Sequence, residues 1–242
     1  QGKLPEAQEN FEAVLTVNSQ AENASYMLGI TYYLQGQYEQ SARLISAFVA
    51  KRPSYAPAVK ILSLIKLKQG NSKDAEILIR SIIEPGNQDV AALNILADAL
   101  LKQGKTDQAI PVLEKVVSLQ PESASDKMRL GASMVKSGDT EAGFQKIISA
   151  IDQDPNLQQG DYLLIFGYLK ENELEKARRA AESFVNRKPE NVMAYNLLGI
   201  TLVREQNVTD ARKAFEQARE KAPGDPTACS NLAAIALRNS AP

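Results

Sequence analysis

The sequence has no histidine and no tryptophan, and its single cysteine is Cys229. Without histidine, every His-dependent triad, proton shuttle and zinc site is excluded. One cysteine closes no internal disulfide and builds no thiolate metal site, and it fits a reducing or an oxidising compartment equally. Aromatics reach only 6%, so a core must be built from Leu, Ile, Val and Ala, which suits helix packed on helix. Charge of one sign is also lacking: 28 basic residues stand against 29 acidic, a net charge of −1. Such a balance supplies no field to draw in nucleic acid or an anionic membrane. No apolar run is long enough to span a bilayer, and Gln1 to Gln8 is polar, with no signal-peptide core. None of these features implies a cofactor or a metal.

What is present is a period. Pro53, Pro121, Pro155, Pro189 and Pro223 fall on one grid of step 34, with Ser19 and Asn87 at its vacant points. Leu28, Leu62, Leu96, Leu130, Leu164, Leu198 and Leu232 keep the same step without exception. A small-residue register runs Ala7, Ser41, Ala75, Ala109, Gly143, Ala177 and Ala211. Another runs Gly2, Gly36, Gly70, Gly104 and Gly138, then lapses to Asn172 and Gln206. Small residues suit the close approach of two helices in a hairpin. Glycine suits a left-handed residue that ends a first helix, and proline stops a second helix. Each unit therefore reads helix, tight turn, helix, turn. Apolar spacing agrees, since Leu93, Leu96, Ala97 and Leu100 share one helical face. Thr106 and Ser72 read as N-caps, and Pro111 lies inside a second helix, which it should bend slightly.

The segment from Tyr26 to Tyr33, then Gly36-Gln37-Tyr38 and Pro53, resembles the tetratricopeptide repeat consensus. So does Tyr195 to Gly199, followed by Ala211, Phe215, Ala218 and Pro223. Six full repeats begin at Glu22, Ala56, Val90, Ala124, Gln158 and Val192, after a half repeat over 1–21 and before a closing helix over 226–238. Two departures stand out. Glu84-Pro85-Gly86-Asn87 brings its proline early, and the fifth repeat has Ile165 where Gly or Ala is usual, with Gly167 two residues on. More narrowly, Leu34 to Gln40, Ser54 to Ala58 and Asn196 to Gly199 are similar to the tetratricopeptide lipoprotein of bacterial exosortase (PEP-CTERM) exopolysaccharide systems. That likeness implies a place in the cell envelope or periplasm; a cytoplasmic setting is the alternative.

Candidate chemistry is sparse. Ser63-Leu64-Ile65-Lys66 matches the Ser-x-x-Lys string of penicillin-binding enzymes, but its partner strings are missing and Ser63 sits in a packed register. Asp152/Asp154 and Glu171/Glu173 lie near helix ends or turns, where solvated acids are ordinary. Lys68, Lys102, Lys136, Lys170, Arg204 and Arg238 form a basic ladder on the 34-residue step. It can grip an acidic partner, or simply complement the C-terminal ends of first helices. The resemblance places a groove on one face of the first helices. By register it holds Tyr26, Ile30 and Tyr33; Met128, Ala132 and Val135; Tyr162, Phe166 and Leu169; and Asn196, Ile200 and Val203. The carboxylate clamp of chaperone-binding arrays needs Lys, Asn, Asn, Lys and Arg where Lys60, Leu64, Ile95, Ser125 and Arg129 stand, so two of five match and both amides are missing. The asparagine ladder of sugar-transferring arrays would need Asn throughout a register that reads Met27, Ile61, Ile95, Arg129, Leu163, Leu197 and Asn231.

The expected fold is all-α, a right-handed superhelix of stacked hairpins forming one array over 1–242. The resemblance implies a scaffold that binds a protein or peptide in its groove, with no catalysis of its own. The alternatives are an accessory array that positions a catalytic domain elsewhere, or a carbohydrate-binding array. Unpartnered helices at both ends suggest a segment of a longer array and weak end-to-end self-association.

Overall fold

The computed structural model describes residues 3–84, 86 and 88–240, the last three by their backbone. Gly2, Pro85 and Asn87 of the registers above lie outside the described residues. Among the described residues, the regular elements are all α-helices. They are α1 (Leu4–Val17), α2 (Glu22–Leu34), α3 (Tyr38–Lys51), α4 (Ala56–Lys68), α5 (Ser72–Arg80), α6 (Val90–Lys102) and α7 (Thr106–Leu119). There follow α8 (Ala124–Ser137), α9 (Thr140–Gln153), α10 (Gln158–Lys170), α11 (Leu174–Arg187), α12 (Val192–Arg204), α13 (Val208–Lys221) and α14 (Pro226–Ser240). They gather into two compact units, Gln1–Pro121 with α1 to α7 and Glu122–Pro242 with α8 to α14. Within each unit consecutive helices pack on one another, and some first helices also touch, α2 on α4, α4 on α6 and α8 on α10. The class is an α-solenoid of stacked hairpins.

The hairpins close where the side chains are smallest. Ser41, Ala75, Ala109, Ala177 and Ala211 are fully buried. Ser41 adds a tie, its hydroxyl donating to the carbonyl of Gly29 at 2.6 Å. One turn further along the same second helices, a register of large side chains fills the centre of five of the hairpins: Ile45, Ile79, Leu113, Ile147 and Phe215, all sealed from solvent. The fifth repeat exchanges bulk between its helices. Ile165 of α10 is fully buried where other first helices carry a small residue, and Ala181 of α11 stands where other second helices carry the large one. Both belong to one core cluster with Ala177, so the volume is conserved while its owner changes.

Each described inter-helix turn inside a hairpin uses the same bonds. After α2, Gln37 N–H donates to the Tyr32 carbonyl at 2.8 Å and Gly36 N–H to Tyr33 at 3.0 Å, the paired bonds that finish a helix on a left-handed residue. Gly36, Gly70, Gly104 and Gly138 have φ between 75° and 102°, as that turn requires. Asn172 and Gln206 keep φ at 61° and 63°. The backbone thus preserves the turn after the glycine is lost, at a cost of about 1 kcal/mol or more for Gln206.

Two helix starts differ from the expectation. Thr106 and Ser72 are the first helical residues of α7 and α5, not their caps, and neither helix has a side-chain cap bond. The tight turn before a second helix ends one residue earlier, at Lys105 or Asn71. Side-chain caps occur instead mostly on first helices, where Asp89, Ser123 and Asn191 accept from Ala92, Asp126 and Ala194. Helix α5 has 9 residues against 14 for α7, and Ser81 and Ile82 continue it as a turn ahead of the early proline of the sequence. Pro111 sits within α7 without ending it, on the solvent side.

Candidate protein-binding face

The first helices present one face away from their hairpin partners, and the expected groove residues divide there into core and surface. Tyr26 is only 6% exposed. Its ring stacks on Phe48 at 4.5 Å between centroids and meets Tyr55 edge-on at 5.9 Å. It is a core residue, because the following second helix and turn supply aromatics that cover it. Ile30 and Tyr33 are half-buried against the same cluster. In unit 2, Asn196 is sealed at 1% exposure. Its Nδ2 donates 2.8 Å to Asp225, whose carboxylate also caps α14 through the Ala228 N–H at 2.7 Å. Asn196 therefore ties α12 to the start of α14 through its Nδ2, while its Oδ1 is buried without a hydrogen-bond partner. Leu169 is buried as well.

What remains on the surface of this face in unit 2 is compact. Phe166 is 54% exposed. Tyr162, four residues earlier on α10, is half-buried with its ring edge-on to Phe184 at 5.7 Å and its hydroxyl 3.3 Å from Gln158. Met128, Ala132, Val135, Ile200 and Val203 are half-buried. Lys170 stands one turn beyond Phe166 on the same side of α10.

The ladder cations Lys68, Lys102, Lys136, Lys170 and Arg204 are exposed, and the side chain of Arg238 lies outside the described residues. Lys102 donates to the Leu67 carbonyl at 3.5 Å, in the last turn of α4, which is the dipole-complementing role. Lys68, Lys136, Lys170 and Arg204 have no carboxylate partner among the described residues. Of the clamp registers, Lys60 is occupied by Asp89 at 2.8 Å, and its ammonium holds that carboxyl below its ordinary range. Ser63 donates to the Val59 carbonyl at 2.8 Å inside its own helix, a packed serine. Asp154 accepts from the Asn156 N–H at 2.9 Å in a turn. Among the described residues no cluster of acidic or cysteine side chains is arranged to hold a metal, and no helix is long and apolar enough to cross a membrane.

Two charged groups escaped the sequence reading. Asp161 of α10 is buried and bonded to Arg187 of α11; burial pushes its carboxyl up, and the guanidinium pulls it back. Glu76 of α5 receives Lys105 at 2.7 Å, Gln103 at 2.8 Å and Arg80 at 2.9 Å. The Lys105 ammonium above all lowers it to about 2. The period cannot announce either, since each depends on a cation one helix or one repeat away.

A tetratricopeptide repeat family model matches residues 1–56, 26–90 and 167–226, and a second one matches residues 90–123. The chain belongs to the tetratricopeptide repeat family. No curated protein matches the tetratricopeptide array by sequence. Solved structures share its fold. The C-terminal part of a TPR repeat-containing protein from Cytophaga hutchinsonii is 16% identical, with 89% of each chain covered and a TM-score of 0.74. MamA from Desulfovibrio magneticus RS-1 is 23% identical over 71% of this chain and 97% of its own, with a TM-score of 0.59. YrrB, described as a TPR protein with an unusual peptide-binding site, is 14% identical over 93% and 98%, with a TM-score of 0.54.

Proposed function

We propose that this array is a protein-binding scaffold and that the first-helix face of unit 2 holds a peptide or protein segment, with Phe166 as its anchor. The supporting observation is Phe166 itself. Large apolar side chains at the other groove positions are at least half-buried, whereas this ring stands 54% exposed beside unpaired Lys170. Aromatic anchors dominate interface energies, while rim cations mostly set association rate and salt response. YrrB, a relative in fold, carries a peptide-binding site by its description. The carbohydrate alternative is weakened, because Tyr26 is not available to stack on a sugar ring.

The sequence likeness to exosortase-system lipoproteins supports a finer reading, an assembly role in exopolysaccharide or protein-sorting machinery of the cell envelope. Self-association through exposed Val14 and Val17 of α1 and Leu237 of α14 belongs to the same proposal. The test is a photo-crosslinking residue placed at 166 in cells, followed by calorimetry on the captured partner. Phe166→Ala should weaken binding at least tenfold. The Lys136→Ala/Lys170→Ala pair should cost less and lose its effect in high salt. Equal binding by Phe166→Ala would overturn the assignment of the face.

A further inference from the structure

On the second helices of unit 2, several cations meet carboxylates. Arg178 reaches Glu182 at 2.8 Å and Glu205 at 3.2 Å, Lys213 reaches Asp210 at 2.8 Å, and Lys221 reaches Glu190 at 3.0 Å. The first helices differ. The stretches that carry the face of Phe166, from Met128 to Lys136, Tyr162 to Lys170 and Asn196 to Arg204, contain no Asp or Glu at all. Each stretch ends in an exposed cation, and Lys136, Lys170 and Arg204 make no hydrogen bond or ion pair among the described residues. The acids next in sequence do not serve them. Glu205 is turned to Arg178, and Glu171 is the C-cap residue of α10, about 100° round the helix from Lys170.

Closing the C-terminal end of a first helix is one use for such a cation. Lys102 shows its form, with the ammonium 3.5 Å from the Leu67 carbonyl of the preceding repeat. Lys136, Lys170 and Arg204 make no bond of that kind. Apolar surface lies within a turn or two of them on the same helices. Phe166 is 54% exposed and Leu163 42% on α10, and Met193 is 44% exposed on α12. Leu163, Phe166 and Lys170 share one side of α10 at i, i+3 and i+7. The face is thus an apolar strip edged by a row of free cations.

We propose, resting on the reading that this face holds a peptide or protein segment, that the segment is acidic and extended, with a carboxylate at every third residue. Helices of adjacent repeats stand about 10 Å apart, and that distance sets the step of the cation row. A chain in the polyproline II conformation advances about 3.1 Å per residue with three residues per turn. Its side chains at i, i+3 and i+6 therefore share one edge at a spacing of about 9 Å. Carboxylates at those places meet Lys136, Lys170 and Arg204 in turn. An apolar residue beside the middle carboxylate lies over Phe166, one turn before Lys170 on α10.

The probe is a synthetic peptide with Glu at i, i+3 and i+6, Leu at i+4 and Pro or Ala elsewhere, titrated at low salt into isotope-labelled protein and followed by NMR. Shifts are expected at Lys136, Phe166, Lys170 and Arg204. Replacing the three Glu by Gln leaves the protein untouched and should weaken binding about fivefold or more, as three exposed pairs allow. Moving the Glu to i, i+2 and i+4 should weaken it too. The preference for Glu over Gln should fade in high salt. It should vanish in Lys136→Gln/Lys170→Gln/Arg204→Gln, with the helical circular dichroism kept. No binding by the Glu peptide, equal binding by the Gln peptide, indifference to Glu spacing, or a preference that survives the triple variant overturns the inference. Equal binding with shifts still centred on Phe166 would refute the acidic partner alone and leave the face as a binding site. Failure of the face itself is read separately, as an unmoved Kd in Phe166→Ala.

Discussion

Returning the fifth hairpin to the arrangement of its neighbours tests whether its core is a true exchange of volume. Ile165 and Ala181 are both fully buried and share one cluster. Ile165→Ala removes a buried aliphatic group that nothing can replace, which costs about 3 kcal/mol from transfer and cavity terms together. Ala181→Ile alone forces new methyl groups against Ile165 and costs about 2 kcal/mol by overpacking. Were the two sites independent, the double variant would lose about 5 kcal/mol, comparable with the whole stability of a small domain. If they fill one space, the double variant resembles the third hairpin, which has Ala97 facing Leu113, and should lose no more than about 1.5 kcal/mol. The expected coupling is therefore about 3 kcal/mol or more, at the upper end for touching residues. Urea unfolding monitored by circular dichroism measures the cycle. Amide exchange in α10 and α11 guards against stepwise unfolding, to which repeat arrays are prone. Additive losses, or a harmless Ala181→Ile, would refute the reasoning.

Gly143→Ala matches most other repeats at its register and improves helix propensity by about 1 kcal/mol, yet it should destabilise. A Cβ there would stand 2.6 Å from Val135 Cγ2 and 2.7 Å from the Gly131 carbonyl oxygen. The helices must then separate at roughly 1–3 kcal/mol; a raised melting temperature would contradict this. Glu76, lowered to about 2 from 4.5, is a depressed acid. Its contribution is present above about pH 4.5 and lost as the pH falls towards 2, by up to about 3 kcal/mol. Glu76→Gln should flatten that part of the stability–pH curve for unit 1, and an unchanged acid limb would show that the Lys105 contact is not formed.

Sequence alone located the hairpins because their determinants are local and periodic. The small register and the glycine register each act through one residue's size or φ, so one column of the period reveals them. Even the lapse at Asn172 and Gln206 left the left-handed turn in place, since the surrounding bonds fix the backbone more firmly than the residue type does. The groove was harder to read. Whether a first-helix side chain is core or surface depends on what the next turn and helix place over it. Tyr55 and Phe48 cover Tyr26, and Asp225 claims Asn196, while Phe166 is left half in solvent. No single register carries that information. The departures become informative when taken in touching pairs. Ile165 is a departure with a partner, Ala181, and together they restore a full core. Ala180 and Ala214, where earlier repeats carry Leu44, Leu78 and Val112, have no such partner: no larger side chain grows in to replace what their register lost, and clefts of about 340 and 580 Å³ stand there. A compensated departure is a matter of packing alone. An uncompensated one leaves open space, here above Leu164, Tyr168 and Leu202, which the rest of the hairpin keeps buried.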